Sequence, residues 1–185
     1  MWEQVKQWDR ELFVFLNNLG IEKYDAFWIY VTNPRHWIPL YFFFFLLFFL
    51  AFHWRKALFS LLFLLATVFS VWGFTNIVKG FFIRLRPNNT PDLVDLIRVL
   101  QEPTGYSFFS GHSSTSFAAT TFVVLVLREK SKWIYLAYIW PIIFIMSRIY
   151  VGVHYPSDVI VGMLVGIIFA FIFFWLYNKA GRRIY

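Results

Sequence analysis

Cysteine is absent from the 185-residue sequence, which excludes disulfides, thiolate metal sites and cysteine nucleophiles. Charge is scarce: Asp, Glu, Lys and Arg make up 15% of the chain, against about 25% in ordinary soluble domains. Seventeen basic residues outnumber ten acidic ones, for a net charge of +7. No basic stretch is long enough to form a nucleic-acid arm, so nucleic acid is not an expected partner. The period-two alternation of barrel strands is also missing.

What the chain has instead is oil. Hydrophobic residues make up 59% of it and aromatic residues 24%. The length suits a single domain covering residues 1–185. Five apolar runs approach the roughly 20 residues a membrane helix needs: 37–52, 57–78, 110–127, 133–153 and 156–178. The expected fold class is therefore all-α, a polytopic membrane helical bundle with five transmembrane helices. A sixth span starting near Tyr24 is the alternative; the favoured reading of AFWIYVTN is a short helix leading to Pro34.

Residues 1–19 differ from the spans. At 100° per residue, Trp2, Val5, Trp8, Leu12, Phe13, Phe15, Leu16 and Leu19 share one face, with Glu3, Lys6, Arg10, Glu11, Asn17 and Asn18 largely opposite. This pattern predicts an amphipathic helix lying in the membrane interface. Acidic residues interrupt it, and no cleavage site follows an apolar core, so a signal peptide is not expected.

Five spans would put the termini on opposite sides. Arg55, Lys56, the 128–132 loop and the tail with Lys179, Arg182 and Arg183 hold eight basic residues and one acid, Glu129, in short segments. The positive-inside rule then places the C-terminus in the cytoplasm. In a bacterium the protein would sit in the inner membrane, with the opposite face toward the periplasm.

That opposite face collects the unusual polar residues: Lys79, Arg86, Ser110, Gly111, His112, Arg148, His154 and Asp158. Ionisable groups in spans carry an insertion cost and are functional by default. Lys79, Arg86 and Arg148 would surround a dianionic phosphate, for which the guanidinium fork is suited. Ser110 can cap a helix and leave the Gly111 and His112 amides to bind an anion. Pro156 suits the first turn of the last span, which puts Asp158 one turn beyond His154. Asp158 could accept one imidazole N–H and leave the other nitrogen as a nucleophile, with His112 as acid for the leaving oxygen.

Lys79-x6-Arg86-Pro87, Ser110-Gly111-His112 and Ser147-Arg148-x5-His154-x3-Asp158 together resemble the three-part signature of the type 2 phosphatidic acid phosphatase family. This is the membrane branch of the superfamily that includes class A acid phosphatases and vanadium haloperoxidases. The resemblance implies that His154 forms a phosphohistidine and that Asp158 orients its ring. It also implies that His112 protonates the leaving group, and that Lys79, Arg86, Ser110, Gly111 and Arg148 hold the phosphoryl oxygens. No metal or other cofactor is implied. Phe109 stands where the family usually has proline.

The implied activity is hydrolysis of a lipid phosphate, with undecaprenyl diphosphate the favoured substrate and phosphatidylglycerol phosphate, phosphatidate or lipid A as alternatives. A phosphotransferase using the same phosphohistidine, or a lipid transporter that only binds headgroups, are the competing classes. Thr90 and Pro91 predict a short helix to about Leu100, whose leucines could form a greasy lip beside the site. Gly162 and Gly166 make a small-xxx-small face. It is expected to pack within one bundle, and a monomer is expected in preference to a homodimer.

Overall fold

The computed structural model describes residues 2–184. The side chains of Trp2 and Arg183, invoked above for the apolar face and the basic tail, lie outside the described residues. Among the described residues eight α-helices follow one another: α1 (Trp2–Asn18), α2 (Asp25–Val31), α3 (Ile38–Ala51), α4 (Trp54–Phe81), α5 (Pro91–Val94), α6 (Gly111–Leu127), α7 (Ile139–Tyr150) and α8 (Pro156–Ile184). Among the described residues there is no strand.

Four stretches, Pro34–Ala51, Trp54–Phe81, Lys132–Tyr150 and Pro156–Arg182, are long and apolar enough to cross a membrane, and Gly111–Leu127 is a shorter apolar helix. The segment near Tyr24 supplies no sixth span. Its α2 has seven residues and is separated from α3 by a 3-10 turn that Asn33 caps at the Arg35 amide, 3.0 Å away.

Helix α6 is the axle of the bundle, and nearly every side chain from Ser113 to Leu127 is buried. Its C-terminal part, residues 122–127, is apolar on every side, as suits a helix inside a bundle, and α3, α4, α7 and α8 pack around α6. Helix α4 faces the bundle with Ala57, Ser60, Leu64, Thr67, Val71 and Thr75, a stripe of mostly small or β-branched residues. Its hydroxyls bond back one turn, Ser60 to Lys56 O at 2.9 Å and Thr75 to Val71 O at 2.7 Å. No donor in the stripe is then left bare in an apolar setting.

Helix α8 approaches α6 more closely. A Cβ placed on Gly162 would come within 2.6 Å of Ser110 O, so the glycine face is already occupied by α6 of the same chain.

Helix α1 has two different sides. Val5, Trp8, Leu12, Phe15 and Leu19 are exposed, as an interfacial helix requires. Phe13 and Asn17 are fully buried, and Asp9 turns the same way. This corrects the expectation that put Asn17 on the outward polar face. Its Nδ2 lies 3.0–3.1 Å from the carbonyls of Arg98, Ile149 and Tyr150, and its Oδ1 accepts the Arg98 amide at 2.7 Å. A polar side chain with that many backbone partners belongs inside.

Candidate active site

The cluster lies at one end of the bundle, where α4 ends, α6 begins, α7 ends and α8 begins. Helix α6 has 17 residues and so spans only about 25 Å at 1.5 Å per residue, short of a hydrocarbon core of about 30 Å. Its start is polar, with Ser110, Gly111, His112, Ser113 and Ser114 in succession.

His154 sits in the turn between α7 and α8 and is 1% exposed. Gly152 makes the turn possible: its φ is +83°, and a Cβ there would lie 2.6 Å from Arg98 O. The imidazole is held from both sides. Nε2 is 3.1 Å from Arg86 Nη1, and Nδ1 is 3.3 Å from Asp158 Oδ2. A guanidinium can only donate, so Nε2 is the acceptor and the ring proton sits on Nδ1, facing the carboxylate. Burial, and then the nearby Arg86 and Arg148 cations, push the His154 pKa well below its ordinary 6.5. The ring is neutral, with its lone pair on Nε2.

Asp158 is fully buried in the first turn of α8. Besides facing His154, its Oδ2 accepts the Tyr155 amide at 3.0 Å, and its Oδ1 accepts Arg84 Nη1 at 2.8 Å. Both oxygens are thus fixed.

The cations come from three elements. Lys79, in the last turn of α4, donates to Tyr106 O at 2.8 Å. Arg86 follows in an extended segment and also donates to Gly105 O and Val153 O, each at 3.2 Å. Arg148, in the last turn of α7, donates to Thr32 Oγ1 and, at 3.3 Å, to Gln101 Oε1. Its buried Nε has no partner among the described residues.

Ser110 caps α6 through the Ser113 amide, 3.4 Å from its Oγ, and donates its own N–H to Asp158 O at 3.0 Å. The Gly111 and His112 amides lie at the helix start, where no intrahelical acceptor exists. The atom nearest a Cβ on Gly111 would be Thr75 Cγ2, 3.7 Å away, so that approach is open. The His112 ring packs on Phe144, with centroids 5.1 Å apart.

Lys79, Arg86, Gly111, His112 and His154 line one end of a cavity of about 750 Å³. Its other end is apolar, between Tyr41, Phe44, Leu64, Val68, Ala119 and Trp140 of α3, α4, α6 and α7. One compartment therefore joins a polar, cationic head to a greasy channel among the helices.

Sequence reasoning missed four residues that hold the cluster: Thr32, Gln101, Arg84 and Asp9. Arg84 stands in the irregular link after α4, two residues before Arg86, and the two side chains converge on the same pair, Arg84 on Asp158 and Arg86 on His154.

The leucine lip is corrected. Helix α5 stops at Val94 instead of running to about Leu100. Asn17 pins the chain at Arg98, and Leu100 N bonds Val151 O at 3.1 Å, which ties the segment down in non-helical form. Leu93 packs with Phe13 and Tyr155 under α1, and the loop residues that line the cavity are Thr104, Gly105 and Tyr106 instead. Phe109, where proline was expected, is buried against Phe74, ring centroids 6.2 Å apart.

Comparison with known proteins agrees with this architecture. The model of the PAP2 superfamily matches residues 57–182. A lipid A 4'-phosphatase of Porphyromonas gingivalis is 29% identical over 186 residues, covering 98% of this chain and 78% of that protein. A lipid A 4'-phosphatase of Bacteroides thetaiotaomicron is 26% identical over 180 residues, covering 95% of this chain and 80% of that protein. The crystal structure of a transmembrane PAP2-type phosphatidylglycerolphosphate phosphatase from Bacillus subtilis superimposes with a TM-score of 0.74 at 19% identity, covering 95% of this chain and 87% of that one. The chain belongs to the PAP2 superfamily. It is an integral membrane lipid phosphatase, a hydrolase acting on phosphate esters.

Proposed function

We propose that this phosphatase removes a phosphate monoester from a lipid A-type glycolipid, with His154 as the nucleophile. The substrate class is favoured because two relatives matched along almost the whole chain are lipid A 4'-phosphatases. The observation that carries the mechanism is the bracketing of the His154 ring, with Nδ1 3.3 Å from Asp158 Oδ2 and Nε2 3.1 Å from Arg86 Nη1.

On this reading the phosphate enters among Lys79, Arg86, Arg148 and the α6 amides, and the lipid tails take the apolar end of the cavity. Arg86 leaves Nε2 for the phosphoryl oxygens, and Nε2 attacks phosphorus. The P–O bond to the lipid breaks as His112 protonates the departing oxygen. His112 then takes a proton from water, whose oxygen attacks the phosphohistidine, and inorganic phosphate leaves with the His154 lone pair restored. The cations and amides are already aimed at the charge that grows in each transition state.

The test is phosphate release by the purified protein in detergent from lipid A, undecaprenyl diphosphate, phosphatidylglycerol phosphate and phosphatidate, with His154→Ala beside it. Lipid A should turn over fastest, and H154A should fall to background. Full release by H154A would overturn the mechanism; preferred turnover of undecaprenyl diphosphate, the substrate first expected, would overturn the substrate class. Labelled phosphate appearing on a second lipid would instead identify a transferase. We also infer that the site faces away from the cytoplasm, because the short loops and tail at the opposite end carry the basic excess. The cysteine-free chain allows single cysteines at positions 104 and 130. An impermeant maleimide on intact cells should label the first alone, and labelling only the second would reverse the orientation.

A further inference from the structure

We propose that Asp9 and Arg84 are positioning residues for the His154–Asp158 pair, and that through them helix α1 sets the geometry of the nucleophile. This rests on the His154 reading above and extends it to a helix that contributes nothing to the cavity.

The connection is continuous. Asp158 has two oxygens, and only one faces His154. The other is held by Arg84 Nη1 at 2.8 Å, and Arg84 Nη2 is held by Asp9 Oδ2 at 2.6 Å. Asp9 belongs to α1, some 75 residues earlier in the chain. Its Oδ1 accepts the Ser157 amide at 2.9 Å, and its Oδ2 also accepts the Ser157 hydroxyl. Ser157 lies in the first turn of α8, one residue before Asp158, and Arg84 Nη1 donates to its Oγ at 2.7 Å. Asp9 therefore satisfies an orphan amide of α8 from outside that helix and places a carboxylate at its positive end.

The ring between these groups is fixed as well. Arg84 Cζ lies 3.9 Å from the centre of the Tyr155 ring, and Phe13 of α1 meets the same ring edge-on at 5.5 Å. Tyr155 follows His154 directly. The inward face of α1, Asp9 and Phe13 one turn apart, is thus docked on both neighbours of the catalytic turn.

The arrangement has a chemical reason. Asp158 must remain an anion beside an arriving phosphate, and a buried carboxylate with one neutral partner is poorly supported in that role. Arg84 supplies a full countercharge on the side away from the substrate, so it does not compete for phosphate oxygens. Asp9 fixes the guanidinium by a second charge-assisted hydrogen bond, from the other terminal nitrogen. With Oδ1 anchored, Oδ2 stays aimed at Nδ1 and the Nδ1–H tautomer is enforced. Arg84 neither lines the catalytic cavity nor bonds the His154 imidazole, and its influence on the reaction passes through Asp158.

The test uses the full-length protein in detergent, with Asp9→Asn, Arg84→Gln, Arg84→Lys, and two controls. Asp92→Asn removes the exposed Arg10–Asp92 pair, 3.6 Å long, and so disturbs the surface of α1 without touching the relay; H154A reports on the underlying mechanism. D9N should lower kcat about tenfold and R84Q by about a hundredfold, the scale of one and two charge-assisted hydrogen bonds, with KM within about twofold. R84K should recover part of the R84Q loss, and D92N should match the wild type. Nitrogen-15 spectra of histidine-labelled protein should show His154 as a single Nδ1–H tautomer in the wild type and a mixture in D9N.

A D9N protein with wild-type kcat and an unmixed tautomer, beside an inactive H154A, would overturn the inference and leave the mechanism standing. A D9N protein that melts lower but keeps its kcat would reduce the relay to a structural clamp and overturn it equally. An active H154A would remove the mechanism itself. If R84Q fails to fold, D9N, which preserves volume, decides the matter.

Discussion

Replacing Asn17 by alanine should destabilise the protein by about 3 kcal/mol, because one amide group ties α1 to two other segments, the loop at Arg98 and the end of α7. Its Nδ2 faces the carbonyls of Arg98, Ile149 and Tyr150, and its Oδ1 takes the Arg98 amide. An amide nitrogen has two hydrogens, so at most two of the three carbonyls are fully served, and three full bonds are lost. At a net ~1 kcal/mol each this gives ~3 kcal/mol, with the stranded Arg98 N–H pushing the figure up. For a chain of this size that corresponds to a fall in Tm of roughly 6–12 °C. Asn17→Asp is the sharper probe. It conserves volume and the Oδ1 acceptor but turns a second oxygen toward the three carbonyls. If polarity governs the site, N17D melts below N17A; if volume governs, it melts near the wild type. Thermal unfolding in detergent at a single scan rate measures both. An N17D protein as stable as the wild type, or a loss in N17A of less than ~1 kcal/mol, would refute the reasoning.

Two further outcomes are expected. Burial works to raise the Asp25 carboxyl, but hydrogen bonds from Arg98 and Tyr150 outweigh it and hold the pKa below its ordinary 3.8. A carboxylate with a lowered folded pKa contributes stability that is full above the unfolded value and lost as pH falls through the folded one. Melting temperature should therefore drop from about pH 4 downward, and Asp25→Asn should flatten that limb while lowering stability at neutral pH. The second outcome concerns the cavity: Ala119→Phe would fill its apolar end, and should raise KM for a long-chain lipid about tenfold, the cost of modest overpacking. It should leave hydrolysis of a water-soluble phenyl phosphate unchanged, and equal losses on both substrates would argue against tails lying there.

How much of this could be read from the chain depended on the range of the interaction. The eight cluster residues were legible in combination: three cations, two histidines and an aspartate gathered at one end of several oily runs need a reason that none of them needs alone, and Ser110 and Gly111 stand beside His112 at the start of one of those runs. The partners of Arg148 were not, because Thr32 and Gln101 are unremarkable residues from distant segments. Asp9 sits at the border of an amphipathic helix, where a polar residue is expected to meet water, and no periodicity marks it as paired with residues 84 and 157. Asn17 misled for the same reason, since its carbonyl partners come from a loop and the end of α7, far along the chain, which local pattern cannot place. The 90–100 segment misled differently. Thr90 and Pro91 do start a helix, but long-range hydrogen bonds at Arg98 and Leu100 override the helical tendency after Val94.

The contact between Arg86 and His154 has a consequence for an enzyme dissolved in its own class of substrate. The surrounding bilayer consists largely of phosphodiesters, each a phosphate with a single charge. The lone pair of Nε2 is capped by a guanidinium 3.1 Å away. On the proposed mechanism, it is uncapped only by a ligand that attracts Arg86 more strongly than imidazole does. A monoester dianion draws Arg86 harder than a diester monoanion can. The cap therefore acts as a charge threshold, and ordinary membrane lipid is turned away before its shape is ever tested.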